Sequence, residues 1–446
     1  MITAEKQSGF AVTFSSSEEN PLAFSASRAI SLGQFHQDVL QSSELLKSDG
    51  DVLISCRGRY AFSVALLAAW LAEKTVILPP DALDETLASI HCRCHIAHEF
   101  DTAWSDSLLR GEAVVIHGDW AVTLNSATSL QLFTSGSTGK PKVIVKSISN
   151  LFDEAIALRE QFDWPESPIV GSVTPNHLYG LTFTILLPWI LQLPWVDDIP
   201  LFPGDIVNTL KQTGSRTLIS IPTQYKALLQ DNTDLSQLTC ISAAAPLSAE
   251  LSAQWKQQNA GDILEIYGST ETGIIAYRQQ NIATDWTAFP AVSLSTEKDL
   301  LKVCSPFVSQ HWAAGFQTAD RVRLENDRSF QLLGRADSIV KIAGKRISLS
   351  KIENRLLSCD GVADAVVIAV PETGYVRDNA IWAAVTAKQQ HELSSRQLQA
   401  ELRGKLECIE IPRKIVITDS LPRTANGKLP LDAIKTLFNS DKIQHV

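Results

Sequence analysis

Residues 51–80 read DVLISCRGRYAFSVALLAAWLAEKTVILPP. DVLISC (51–56) is a short run rich in residues that suit a pleated strand, and YAFSVALLAAWLAEK (60–74) is a long stretch of Ala and Leu helix formers. TVILPP (75–80) is a second apolar run, stopped by prolines. Strand, helix, strand at this spacing implies a parallel sheet covered by helices. LDETLASIH (83–91) continues with helical spacing, and the rhythm returns at TLISIP (217–222), QLTCISAAAPL (237–247) and GDILEIYG (261–268). In open α/β sheets ligands collect beyond the carboxyl ends of the strands, so the loops after these runs are the places to look.

The most apolar stretch, GLTFTILLPWILQLPW (180–195), falls short of a ~20-residue membrane span and contains Pro188 and Pro194. It reads as a buried helix whose Trp189 and Trp195 belong to the core. Beyond about Arg335 the texture changes. ISLSKIENRLLS (347–358) opens a helix in which Ser350 and Glu353 have the spacing of a capping box. ADAVVIAVP (363–371) and IWAAVTA (381–387) read as strands, LSSRQLQAELRGKLE (393–407) as a polar-faced helix and KIVITDSLP (414–422) as a last strand. Together they form a small α+β unit.

The chain has 446 residues, 45% hydrophobic and 20% charged, which is globular composition with ample apolar mass for a core. Its formal net charge of −10 disfavours general binding to nucleic acid or anionic lipid. The seven scattered cysteines predict reduced thiols in a cytoplasmic protein, and the first residues, without a basic start and an apolar run, predict no signal peptide. His91, Cys92, Cys94, His95 and His98 cluster in sequence, but their spacing fits no standard zinc pattern.

Four segments carry chemistry. The first is Thr134, Ser135, Gly136, Ser137, Thr138, Gly139, Lys140, Pro141, Lys142. Glycines free the backbone, hydroxyls donate and lysines neutralise, so the segment can cradle phosphates. It is not a Walker loop, because its glycines are too close and Pro follows Lys140. A solvated Ser/Gly turn is the other reading. The second is Tyr267, Gly268, Ser269, Thr270, Glu271, where a carboxylate and hydroxyls just past a strand end suit Mg²⁺ and a phosphate oxygen. The same residues also suit a helix N-terminus capped by Ser269 or Thr270. The third is GRADSIVKIAGKRIS (334–348), with Arg335 and Asp337 before the small unit. The fourth is LPRTANGKLP (421–430), a glycine turn presenting Lys428.

In this order the four segments resemble the acyl-adenylate-forming superfamily, which includes acyl-CoA synthetases, aryl-acid ligases, peptide-synthetase adenylation domains and firefly-type luciferases. The resemblance covers residues 51–429. It implies an α/β fold with a large N-terminal domain of helix-covered, mostly parallel sheets (1–336) and a small mobile C-terminal α+β domain (337–446). It also implies roles. Residues 134–142, with Thr134, Ser135, Gly136, Ser137, Thr138, Gly139 and Lys142, resemble the loop over the ATP phosphates. Tyr267, with Gly268 beside it, matches the aromatic that stacks on adenine, Thr270 the α-phosphate contact and Glu271 the Mg²⁺ ligand. Ala244 and Ala245 lie in the strand-end segment that flanks adenine and the acyl group. Thr318, Ala319 and Asp320 look like the motif whose acid holds the ribose hydroxyls, with Ala319 in place of the usual Gly, and Arg335 is the partner of that acid. His177 and Gly180 border the acyl pocket, Asp337 is the hinge and Lys428 is the lysine that reaches the carboxylate and α-phosphate.

The implied reaction is ATP- and Mg²⁺-dependent activation of a carboxylic acid as acyl-AMP, followed by transfer to a thiol, either CoA or the phosphopantetheine of an acyl carrier protein. The stretch NHLYGL (176–181) lacks the acid that would pair with an amino-acid ammonium, so the expected substrate is a plain fatty or aromatic acid. The proportions resemble the short AMP-ligases of bacterial aryl-polyene and fatty-acid-like clusters. Two rival readings remain at this level: adenylate transfer to a non-thiol acceptor, and a nucleotide- or acyl-binding regulator without turnover.

Overall fold

A computed structural model describes residues 9–15, 21–25, 28–108, 118–134, 142–231, 233–336, 339–342, 345–371, 379–388, 391–403, 405–423 and 429–439. Ser135, Gly136, Ser137, Thr138, Gly139, Asp337 and Lys428 lie outside the described residues, as does the side chain of Thr134. The chain divides into two compact units. One comprises residues 1–295, 302–316 and 324–330, and the other residues 296–301, 317–323 and 331–446. The expected class holds: a large α/β unit and a smaller α+β unit.

The first unit contains two parallel sheets. In one, the strands Ile96–Phe100, Asp51–Ile54, Val76–Leu78 and Ser129–Thr134 run parallel in that order. The antiparallel edge strand Lys142–Ser147 closes it, with Thr134 opposite Lys142. The helix Arg59–Leu71 crosses between the strands Asp51–Ile54 and Val76–Leu78, and only Leu71 of its residues escapes full burial. Its alanines and leucines make it apolar all round, as burial demands.

In the second sheet the strands Ile263–Ser269, Thr239–Ser242, Thr217–Ser220, Ile169–Gly171, Trp195–Val196 and Ala23–Ser25 are parallel neighbours in that order. After Ile169–Gly171 the chain adds a strand on one side and then returns to the other, which makes the crevice where ligands bind in such sheets. The antiparallel strands Gly273–Arg278 and Trp286–Ala288 extend the sheet past Ile263–Ser269.

The apolar stretch at 180–195 is buried and helical, as expected, but not uniformly. A helix over Leu178–Leu181 passes into a π-helical segment, Thr182–Leu186, and then into Leu187–Leu191. Pro188 has no N–H for the preceding turn, and the Thr184 hydroxyl donates to the Gly180 carbonyl at 2.6 Å, so the ladder widens here. The helix ends at Gln192 in the left-handed region, and Trp195 belongs to a strand. Trp189 and Trp195 are core residues.

In the second unit the strands Val362–Pro371, Asn379–Ala387 and Lys414–Ile417 form a sheet packed by the helices Leu349–Leu357 and Ser395–Arg403. The capping box expected at Ser350 and Glu353 is not formed. Ser348 is the N-cap and accepts from the Lys351 N–H at 3.2 Å. Glu353 accepts the Val367 N–H at 2.9 Å instead, because this face of the helix lies on the strand and offers a nearer donor than the helix start.

Candidate active site

The segment 267–271 is the turn of a β-hairpin, so the helix-cap reading of Ser269 and Thr270 fails. The strand Ile263–Ser269 pairs back on Gly273–Arg278 with a bulge between Tyr267 and Gly268. A Cβ on Gly268 would lie 2.3 Å from the Gly273 carbonyl, so only glycine lets the strands close here. Gly273 turns the chain at φ +71°. Ser269 and Thr272 brace the turn from inside: the Ser269 N–H donates to the Thr272 hydroxyl at 3.1 Å and the Thr272 N–H to the Ser269 hydroxyl at 3.2 Å. This leaves Thr270 and Glu271 at the tip. The Tyr267 ring packs against Trp286, 5.3 Å away by centroid, and Phe330, 5.8 Å away, which are cross-strand neighbours.

The Glu271 carboxylate makes no hydrogen bond or ion pair with a described side chain. One unclaimed hard oxygen donor on a braced turn fits Mg²⁺, which takes one or two carboxylates and completes its shell with phosphate oxygens and water. Among the described residues no cluster of three or more acids, His or Cys offers a dedicated all-protein cage.

Ala244, Ala245, His177 and Gly180 follow carboxyl ends of strands in the same sheet, and Lys142 opens the edge strand of the other sheet. Ala244 follows Thr239–Ser242, is exposed, and holds φ +69° without being glycine. Such a conformation costs roughly 1–2 kcal/mol and persists where surroundings impose it. Ala245 follows it. His177, half-buried, precedes the helix Leu178–Leu181. Gly180 is buried against its own chain: a Cβ there would lie 1.9 Å from the Thr174 carbonyl. The Tyr179 hydroxyl lies 2.9 Å from the Ser220 carbonyl and 3.1 Å from that of Ile241, tying this segment to two strand ends. Lys142 places its ammonium over the rings of Trp312 at 5.0 Å and Phe316 at 5.6 Å.

In the second unit Asp320 and Arg335 come together, Nη1 to Oδ1 at 3.3 Å, the acid buried and the arginine exposed. The Thr318 hydroxyl accepts the Asp320 N–H at 3.1 Å and donates to the Leu301 carbonyl at 2.9 Å. The Ala336 N–H donates to the Ala319 carbonyl at 2.7 Å, so Ala319 is held in a strand pairing that does not require glycine.

Sequence reasoning missed a buried ionic pair, Lys146 with Glu154, and a buried arginine. Lys146 is fully buried. Its ammonium donates to the main-chain carbonyls of Glu271 at 3.0 Å and Phe307 at 2.5 Å. Burial pulls it below the usual lysine range, while Glu154 and Glu271 oppose that shift by attraction. Glu154, buried on the helix Ile148–Gln161, accepts from the Ile274 N–H and from the Thr182 hydroxyl at 3.3 Å, and burial pushes it up. The signal was periodicity: in KVIVKS (142–147) Lys146 falls in phase with the buried Ile144, not with the exposed Val143 and Val145. The arginine is Arg59, fully buried at the start of the helix Arg59–Leu71.

Comparison with known proteins gives two family matches: the AMP-binding enzyme model over residues 16–305 and the AMP-binding enzyme C-terminal domain over residues 351–428. Human mitochondrial acyl-coenzyme A synthetase ACSM2A is 25% identical over 429 residues, covering 83% of this chain and 71% of that protein. Among solved structures, o-succinylbenzoate CoA synthetase MenE from Bacillus subtilis, in complex with its acyl-adenylate, superposes with a TM-score of 0.78 at 18% identity, covering 94% of this chain and 96% of that one. ATP-bound MatB from Rhodopseudomonas palustris superposes with a TM-score of 0.75 at 19% identity, covering 95% and 97%. At these identities the superpositions speak for the fold.

Proposed function

The chain belongs to the AMP-binding enzyme family, and from that premise we propose that it joins a carboxylic acid to AMP and then passes the acyl group to a thiol. The observation that carries the reading is the braced turn at 269–272, which presents Thr270 and an unclaimed Glu271 carboxylate at the carboxyl end of a parallel sheet.

The chemical difficulty is that two anions must meet. A carboxylate oxygen attacks the α-phosphorus of ATP, and the bond to pyrophosphate breaks. Glu271 would hold Mg²⁺, which when bound neutralises phosphate charge. Thr270 donates to an α-phosphate oxygen, Tyr267 with Gly268 receives the adenine, and Asp320 with Arg335 receives the ribose. The loop containing Thr134 to Lys142 covers the outgoing phosphates, and Ala244 and Ala245 border adenine and acyl group. Lys428 supplies the cation where charge builds up in the transition state, a contribution of about 3–4 kcal/mol for one such contact. The small domain, residues 337–446, then turns about Asp337, Lys428 withdraws, and a thiol sulfur attacks the acyl carbonyl carbon with release of AMP. The acceptor is CoA or a carrier-protein phosphopantetheine. The acid is fatty or aromatic, since His177 and its neighbours at 176–181 include no carboxylate to pair with an ammonium.

The test is acid-dependent exchange of labelled pyrophosphate into ATP across a panel of fatty, aromatic and amino acids, with CoA and a phosphopantetheinylated carrier protein then offered as acceptors. Exchange supported by a fatty or aromatic acid, followed by thioester formation, is the expected result. No exchange with any acid would reduce the chain to a binding protein.

A further inference from the structure

Two features of the first unit meet behind the Glu271 turn. Lys146 sits on the edge strand Lys142–Ser147 of one sheet, two residues before the helix Ile148–Gln161. Its ammonium lies 3.0 Å from the Glu271 carbonyl and 2.5 Å from that of Phe307. Asn150, one turn into the helix, grips the same neighbouring segment from the other side, donating to the carbonyls of Pro306 at 2.6 Å and Val308 at 3.2 Å. Glu154 lies one turn further on and takes the Ile274 N–H, just beyond the hairpin turn. A Cβ on Gly273 would come within 2.6 Å of the Glu154 carboxylate and 2.8 Å of the Phe307 Cβ, so the hairpin is wedged against this pair without slack.

A lysine with no exposed surface is costly to bury, and an apolar side chain would fill the same strand position at no such cost. What the lysine alone provides is a cationic donor that ties two carbonyls together, that of Phe307 and that of Glu271, the residue whose carboxylate stands unclaimed at the turn. Fixing the Glu271 carbonyl fixes the peptide plane after Glu271 and the direction in which its side chain leaves the chain.

We propose that Lys146 is a positioning residue for the metal site, holding the Glu271 main chain so that its carboxylate is set in advance for a nucleotide-bound divalent cation. The inference rests on the functional reading above and adds to it a residue that never touches substrate. Partners that orient metal ligands typically contribute about 10–100-fold in metal affinity.

The experiment measures Mn²⁺ binding to the full chain by electron paramagnetic resonance in the presence of saturating ATP, without turnover. Thermal midpoints are recorded in parallel. Lys146→Met is expected to weaken Mn²⁺ binding by about 10-fold or more, with Lys146→Arg, which keeps a cationic donor, recovering most of the loss. Asn150→Ala removes the grip on the segment at 306–308, and with it the acceptor for the Ser147 N–H at the helix start, but leaves the Lys146 ammonium on the Glu271 carbonyl. It is expected to lower the thermal midpoint while changing Mn²⁺ affinity by less than about threefold, well under the loss expected when a ligand's orienting partner goes. Should Lys146→Met not fold, Lys146→Gln against Lys146→Arg carries the same comparison. Wild-type affinity in Lys146→Met or Lys146→Gln would overturn the inference, and so would an equal loss in Asn150→Ala. A wild-type chain that binds no Mn²⁺–ATP overturns the functional reading and this inference with it.

Discussion

Replacing Arg59 with lysine tests how the first unit is held together. Arg59 has five N–H donors, and the structure uses all of them. Nε donates to the Thr184 hydroxyl at 3.0 Å, and Nη1 donates to the carbonyls of Val196, at 3.0 Å, and Asp198. Nη2 donates to the carbonyls of Gly171 at 2.7 Å and Val173 at 2.8 Å. The side chain is fully buried, and burial pulls its pKa down to about 10, which leaves it charged at neutral pH with Asp197 and Asp198 attracting it. Lysine has three donors on one nitrogen, so at least two of the five acceptors lose their partner. Each buried acceptor left bare costs about 1–3 kcal/mol, so Arg59→Lys is expected to cost about 2–6 kcal/mol. That is a large share of the roughly 5–15 kcal/mol that holds a typical protein folded. Urea unfolding followed by tryptophan fluorescence reads the loss, because Trp70, Trp189, Trp195 and Trp255 are buried in this unit. Since Gly171 and Val173 lead into the segment containing His177, the KM for the acid should rise as well. A loss below about 1 kcal/mol at unchanged m-value would show that the five hydrogen bonds do not fasten the strand ends, refuting the reasoning.

Lys428→Ala should abolish pyrophosphate exchange while leaving thiol transfer from preformed acyl-AMP largely intact; equal losses in the two half-reactions would remove its assigned role. Gly268→Ala puts a methyl group 2.3 Å from the Gly273 carbonyl and should splay the hairpin, with loss of exchange and of stability. Gly204→Ala, on the helix Pro203–Thr213 with open space around it, should stabilise the chain by up to about 1 kcal/mol, and thermal unfolding of the two variants checks the contrast. Asp320→Asn removes the charge beside Arg335 and should raise the KM for ATP by about 10–100-fold, the range for hydrogen bonds to a charged group, with a smaller change in kcat. Burial pushes Glu353 above its ordinary value of 4.5, against the opposing pull of the Val367 N–H and Arg423. Folding therefore favours its protonated form. Its contribution is fully present below pH 4.5 and is lost as pH rises through the raised folded value. Glu353→Gln should flatten the difference in second-unit stability over that window, which urea unfolding at a series of pH values would measure.

The linear chain determined the local elements and the places where chemistry gathers. Alternating apolar runs and Ala/Leu-rich stretches suffice for that, because a strand or helix declares its buried face within a few residues. The runs at 51–56, 75–80, 217–222 and 261–268 became parallel strands, and Tyr267, Thr270 and Glu271 stand where one of those strands ends. The packed structure decided which donor meets which acceptor. Ser350 and Glu353 have capping-box spacing, yet Ser348 caps the helix and Glu353 turns to a strand amide. Ser269 and Thr272 bind each other in a hairpin where spacing allowed a helix start. Lys146 and Arg59 are ordinary charges until the fold surrounds them with carbonyls drawn from residues more than a hundred positions away. Hydrogen bonding is directional and short-ranged, and no pattern along a chain encodes those distances before the chain has closed on itself.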